Sequence, residues 1–357
     1  MRVRNYTSGD GRLQLTSRDI TNVCVAPSLF SFFHYLLLAD EKTAKFHTYY
    51  FLNDAVSPTV REQLVSTYYS QRPDSTFYIA LKKRLRKLGI AFFKTIKYPF
   101  LNTARIYAFD YPVLCVYIGN RPYEMLSDAP QCFTYHMQED SEEYQRQLAR
   151  RHTFTWWAQK WIYGDIYADY YGNNKWCQCI HLLEENKSPI LNEKNVKIQS
   201  MEVLWSKATE SKRQFVLSLF GLNQEDVSIL QSKPITFFTQ PLIEDCQLST
   251  DEYCELLNRL FSHYNKNDIL IKTHPRDKFD YSKYFPGVTV YTKSVNSQLL
   301  QLMGVTPHKV VTFFSSAVEA YPETVECDYY GTNIHPRVLA LYGTAYKLKR
   351  AVNKMEL

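Results

Sequence analysis

Short apolar runs alternate with helical patterns along this chain. Asn22-Val-Cys-Val-Ala26 is β-branched and apolar, stops at Pro27, and leads into an apolar helical run through Leu38. Residues 46–52 read as a second strand and 57–69 as a helix. Residues 104–109, 112–118 and 132–137 read as further strands. A second series follows, with a strand over 235–239, a helix over 250–264, and strands over 268–273, 288–291 and 309–314. A helix is expected to open near Ser315. Strands that alternate with helices predict parallel sheets covered by helices. An irregular aromatic stretch with Trp156, Trp157, Trp161 and Trp176 closes the first series. The turn-like Asn186-Lys-Ser-Pro189 then places an expected domain boundary, giving domains 1–190 and 191–357.

A chain of 357 residues is too long for one ordinary core and suits two α/β domains. With 45% apolar and 22% charged residues it is globular in composition, which excludes a disordered chain. The eight cysteines are scattered, and the closest pair, Cys177-x-Cys179, lacks the two-residue spacing of most zinc and redox motifs. Free thiols in a reducing compartment are expected. The first nineteen residues are polar and charged, unlike a signal peptide. The longest apolar run, 29–39, is broken by Ser31 and His34 and falls short of the about 20 residues needed to span a bilayer. Together these features predict a cytoplasmic protein.

The net charge of +6 is modest, but it is unevenly placed. Residues 75–109 contain no Asp or Glu and carry Lys82, Lys83, Arg84, Arg86, Lys87, Lys94, Lys97 and Arg105. Phe77, Leu81, Leu85 and Leu88 fall on one helical stripe, which predicts a core-packed helix with a solvated basic face. The alternative is attachment of the 77–97 segment to anionic lipid at the inner face of a membrane. No nucleic-acid recognition motif accompanies the basic stretch, so nucleic acid is not an expected partner.

Candidate chemistry gathers at the ends of the second series of strands, where open α/β sheets bind ligands. Ile269-Leu-Ile-Lys-Thr-His-Pro-Arg276 delivers His274 into a turn fixed by Pro275, with Arg276 adding a permanently charged fork. Val310-Val-Thr-Phe-Phe-Ser-Ser-Ala317 puts Ser315 and Ser316 at an expected helix start, a setting that suits a phosphate. Glu244-Asp245 lies just past the strand that ends at Thr239, and Glu139-Asp140 lies past a strand of the first series. A carboxylate there can take a proton from an attacking sugar hydroxyl.

These residues, as Thr239-Gln-Pro-Leu-Ile-Glu-Asp245, Lys272-Thr-His-Pro-Arg-Asp277 with Asp280-Tyr281, and Thr312-Phe-Phe-Ser-Ser-Ala317, resemble glycosyltransferase family 52. That family holds bacterial sialyltransferases of lipooligosaccharide and capsule synthesis. The resemblance implies a GT-B fold of two Rossmann-like domains facing a cleft. It implies an inverting, metal-independent transfer of sialic acid from CMP-sialic acid to a galactose-type glycan. His274 would contact the CMP phosphate and support its departure. Ser315 and Ser316 would hold that phosphate, and Pro275 and Arg276 would shape the nucleotide pocket. Asp245 would be the base, with Asp140 its rival. No Asp-x-Asp motif of the kind that holds a divalent ion on a nucleotide sugar is present. The resemblance leaves a homodimer open. A UDP-hexose donor on the same fold, or a sugar- or membrane-binding protein without turnover, are the alternative readings.

Overall fold

The computed structural model describes residues 4–53, 55–69, 77–110, 115–128, 133, 138–344, 348 and 350–357. A short antiparallel pair, β1 (Asn5–Thr7) and β2 (Gln14–Thr16), precedes a parallel sheet. That sheet comprises β3 (Asn22–Ala26), β4 (Thr48–Asn53), β5 (Ser66–Tyr69), β6 (Arg105–Ala108), β7 (Tyr123–Met125), β8 (Cys177–Leu182) and β9 (Val196–Ile198). Its order is β5-β4-β3-β6-β7-β8-β9. β3 and β4 are covered on both faces, which is why they read as unbroken apolar runs rather than alternating ones. Helix α1 (Leu29–Leu38) starts at Ser28, whose hydroxyl accepts from the Ser31 N–H in a capping box. Helices α2 (Phe77–Lys97) and α3 (Phe154–Tyr163) pack beside one another in the same unit.

The second sheet holds β10 (Ile235–Phe238), β11 (Ile269–Lys272), β12 (Thr289–Tyr291), β13 (Lys309–Thr312), β14 (Glu326–Tyr329) and β15 (Asn353–Lys354), all parallel. Its order is β12-β11-β10-β13-β14-β15. Counted from β10 this is 3-2-1-4-5-6, the Rossmann order, and β3 to β8 repeat it in the first sheet. Each sheet therefore reverses direction beside its first strand, at β10/β13 and at β3/β6. The short helix α4 (Leu242–Cys246) follows β10, and α5 (Thr250–Ser262) follows it behind a Ser249–Glu252 capping box. Each sheet has its own apolar core, one built around Phe51, Tyr98 and Tyr117, the other around Phe237, Phe261 and Phe313.

Several expectations need correction. The chain divides at Leu219/Phe220, not at 190/191. β9 joins the first sheet beside β8, and Lys212 donates to the Leu37 carbonyl, so 191–219 stays with the first unit. Residues 57–69 are helical only over Pro58–Glu62, after which Ser66–Tyr69 is an edge strand. Of 112–118, the described part is a 3-10 turn, Cys115–Tyr117. The expected strand 132–137 lies outside the described residues except for Phe133. No α-helix opens at Ser315; a single 3-10 turn, Ser316–Ala320, runs into Pro322, which cannot donate to continue it. The stripe expected to pack α2 on the core does not do so at Leu85, which is 59% exposed. The side chains of Phe77 and Leu81 lie outside those described.

Candidate active site

The reversal point of the second sheet brings the candidate residues together. β11 and β13 lie on either side of β10, with Phe238 level with both Lys272 and Thr312. At strand spacing their ends are about 10 Å apart, a span that a nucleotide phosphate and its neighbours can bridge. Thr239, one residue past β10, is the hub. Its N–H donates to the Lys272 carbonyl at 3.2 Å. Its hydroxyl accepts from the His274 N–H at 2.9 Å and donates to Asp277. Asp277 also accepts from the Tyr281 hydroxyl at 2.6 Å, and Tyr281 meets the Tyr253 hydroxyl at 2.6 Å. Burial raises the Asp277 pKa above the usual carboxylate value. The turn carrying His274 is thus tied to β10 and, through two tyrosines, to α5.

The imidazole is chemically defined by this turn. The Arg276 N–H donates to His274 Nδ1 at 3.1 Å, so the neutral ring carries its proton on Nε2. Burial, followed by the positive charges of Arg276 and Lys272, depresses the His274 pKa to about 4. At neutral pH His274 is therefore an Nε2–H donor at the strand tip. Lys272 is buried, donates to the Thr273 carbonyl at 2.9 Å, and is pushed down to about 8 by that burial.

Arg276 forms a bidentate pair with Asp245, at 2.6 and 2.8 Å. The Tyr342 hydroxyl donates to the same carboxylate at 2.7 Å. Asp245, Arg276, His274 and the exposed Pro275 therefore form one cluster, while Glu244 accepts from the Lys278 N–H at 3.0 Å. Across β10, Ser315 is buried; its N–H donates to Thr312 Oγ1 at 3.0 Å, and its Oγ caps the Ala317 N–H at 3.2 Å. Ser316 is exposed beside it. The serines flank the reversal point on a 3-10 turn, so they offer hydroxyls and N–H groups without a full helix dipole behind them.

Asp140 lies in the first unit, exposed in the turn before the helix Glu142–Arg150. At the carboxyl end of that unit's sheet, sequence reasoning missed Asp128. Its pKa is raised to about 6 by burial despite a hydrogen bond with Ser28, and its Oδ1 has no partner among the described residues. The preceding strand, Tyr-Glu-Met, is too short and mixed to signal itself. Sequence reasoning also missed the hub role of Thr239 and Asp277, though their positions at and just past strand ends were a usable signal.

Elsewhere in the first unit, Glu124, Cys179 and His181 bring possible ligand atoms within 4.8 Å of one another. Burial works against ionised Glu124, but hydrogen bonds from His181 and Arg105 outweigh it and hold its pKa down at about 2. Arg105 already supplies the positive charge a cation would bring, so these residues fit an ion-paired network better than a metal centre. A cavity of about 690 Å³ lined by Arg105, Arg121 and Trp161 opens at the amino-terminal edge of this sheet, opposite the edge where α/β ligands bind.

Comparison with known proteins agrees with this architecture. The sequence model of glycosyltransferase family 52 matches residues 32–338. A protein of Haemophilus influenzae named only as uncharacterized is 28% identical over 280 residues, covering 78% of this chain and 85% of its own. Among solved structures, a 2,6-sialyltransferase of Photobacterium sp. JT-ISH-224, held with CMP and lactose, has a TM-score of 0.56 at 10% identity, covering 90% of this chain and 74% of its own. An α/β-galactoside α-2,3-sialyltransferase of Photobacterium phosphoreum has a TM-score of 0.51 at 11% identity, covering 90% of this chain and 94% of its own. At such identities the likeness is one of fold, and that fold is GT-B.

Proposed function

Because the chain belongs to glycosyltransferase family 52, we propose that it moves sialic acid from CMP-sialic acid, with inversion and without a metal ion, onto a galactose-type acceptor of bacterial lipooligosaccharide or capsule. The observation that carries this reading is His274, a neutral Nε2–H donor fixed at the tip of β11 beside the reversal point of a Rossmann sheet, with Ser315 across β10 at the tip of β13. Sialic acid departs through an oxocarbenium-like state as the CMP oxygen gathers charge. One phosphate needs less neutralisation than a diphosphate. His274, the hydroxyls of Ser315 and Ser316, and the Arg276 guanidinium supply it on this chain. Pro275 fixes the turn beside the nucleotide. The relative held with CMP and lactose supports this donor and acceptor pairing.

Asp245 is the proposed base, with Asp140 the rival. Both Asp245 oxygens are held by Arg276 and Tyr342. An anionic donor competes for the guanidinium, and as Arg276 turns to it a carboxylate oxygen becomes available for the acceptor proton. Binding of the first substrate thus readies the group that activates the second.

Purified protein given CMP-sialic acid, a lactose-type acceptor and EDTA is expected to release CMP. His274→Ala should lower the rate by roughly a hundredfold or more, the cost of one transition-state donor at about 3–4 kcal/mol. No turnover on any acceptor, or calorimetry showing tight UDP and no CMP binding, overturns the reading.

A further inference from the structure

Helix α2 buries lysine on its inner face and exposes apolar residues on its outer one. Its described inward residues include Lys94, buried with its Nζ donating to the Val116 carbonyl at 2.7 Å. Burial lowers the Lys94 pKa to about 8. Lys87 is half-buried against the Tyr167 hydroxyl at 3.2 Å. Ile90 and Ala91 pack against the core, but four large apolar residues point the other way: Leu85, Phe92, Phe93 and Ile96 are between 57% and 62% exposed. With Gly89 they fall at helical spacings of four, three, one and three, which is one continuous stripe. Beside α2, helix α3 exposes a stripe of its own, Phe154, Trp157 and Trp161, between 55% and 87% exposed. Seven large exposed apolar side chains on two neighbouring helices exceed the scattered singles of an ordinary soluble surface.

The charge around the α2 stripe identifies what covers it. Arg84, Arg86 and Lys97 are exposed along its flanks. No carboxylate lies anywhere in residues 75–109 to pair with or repel from them. A protein partner of mixed charge gains nothing from such a bias, whereas an anionic bilayer does. No helix among the described residues is long and apolar enough to cross a membrane. An amphipathic helix with an apolar stripe, basic flanks and neighbouring tryptophans suits the plane of the headgroups instead.

We propose that α2 and α3 form a peripheral docking face for an anionic lipid bilayer, with Leu85, Phe92, Phe93, Ile96 and Trp161 entering the headgroup region and Arg84, Arg86 and Lys97 engaging lipid phosphates. The face belongs to the first unit alone and does not depend on the sugar chemistry of the second.

The test is flotation of the full chain with vesicles of phosphatidylcholine alone, or of phosphatidylcholine with phosphatidylglycerol. The expected result is binding to the anionic vesicles that weakens with added salt, and little binding to the neutral ones. Phe93→Ser with Ile96→Ser and Trp161→Ser should lower the partition coefficient at least tenfold with the melting temperature unchanged. Arg84→Gln and Lys97→Gln should each lower it roughly fivefold. Absence of binding to anionic vesicles overturns the proposal, as does binding that both sets of variants leave intact. So does a wild-type dimer that the triple variant splits into monomers, which would make a second copy the occupant of this face. Loss of sialyl transfer with vesicle binding intact would count against the proposed activity and leave the docking face standing.

Discussion

Three contacts fix the His274 turn: its own N–H on Thr239, its Nδ1 under the Arg276 N–H, and Asp277 bridging Thr239 to Tyr281. The His-Pro-Arg run was visible in the sequence because it ends an apolar strand. What the sequence could not show is that Arg276 also closes on Asp245, since 31 residues separate them and only folding sets them face to face. Three carboxylates now compete for the role of base: Asp245 in the second unit, Asp140 and Asp128 in the first. Only Asp245 touches a residue of the phosphate-side cluster, so Asp245→Asn should lower kcat/KM by about a hundredfold or more, in line with loss of a general base. Asp140→Asn and Asp128→Asn should stay within about tenfold. Steady-state kinetics on the three variants decides it. A hundredfold loss in either first-unit variant with Asp245→Asn near wild type moves the base to the first unit.

At the scale of elements, the apolar central strands were legible and the more polar ones, at the edge or within the sheet, were not. β3, β10, β11 and β13 carry runs of Val, Ile and Phe because helices cover both of their faces. β5 and β7 carry Ser, Thr, Tyr and Glu, and their pairing comes from neighbours rather than from their own composition. The expected α2 stripe fails at Leu85 for a different reason: helical periodicity reports that a face is apolar, not which environment receives it. Glycines make a sharp test of the elements around α2. Gly164 ends α3 at φ +100°, and a Cβ there would lie 2.9 Å from the Gly119 carbonyl carbon and 2.8 Å from Asn120 Oδ1. Asn120 Oδ1 in turn accepts from the Asp165 N–H at 2.6 Å. Gly164→Ala should therefore cost about 2–4 kcal/mol, combining a left-handed backbone with a clash against main chain. Gly89, inside α2, has nothing within 4 Å of an added Cβ, so Gly89→Ala should stabilise by roughly 0.5–1 kcal/mol. Urea midpoints measure both. Equal effects of the two substitutions would contradict the described packing.

For the whole molecule, alternation of strands and helices announced two parallel sheets, but it placed the seam at 190/191 rather than at Leu219/Phe220, leaving 191–219 on the wrong side. The error follows from β9, Val-Lys-Ile, a strand of three residues that is too short to stand out as an apolar run. The two sheets have separate cores, and every proposed nucleotide contact comes from the second: His274, Pro275, Arg276, Ser315 and Ser316 all follow β11 or β13. Ligand binding stabilises the cooperative unit that holds the ligand, by about 2.7 kcal/mol at a hundred times Kd. Saturating CMP should thus slow amide exchange in β10, β11 and β13 by up to about a hundredfold, and leave β3, β4 and β6 near their rates without nucleotide. UDP at the same concentration should protect neither sheet. Exchange read by mass spectrometry at peptide resolution separates the outcomes. Protection confined to the first sheet would place the nucleotide at the β3/β6 reversal point, where Asp110 accepts the Tyr171 and Gly172 N–H groups at 2.8 Å. The second-unit site would then fail as the donor site even if the chain proved an active transferase, because a nucleotide stabilises only the sheet whose strand tips it touches.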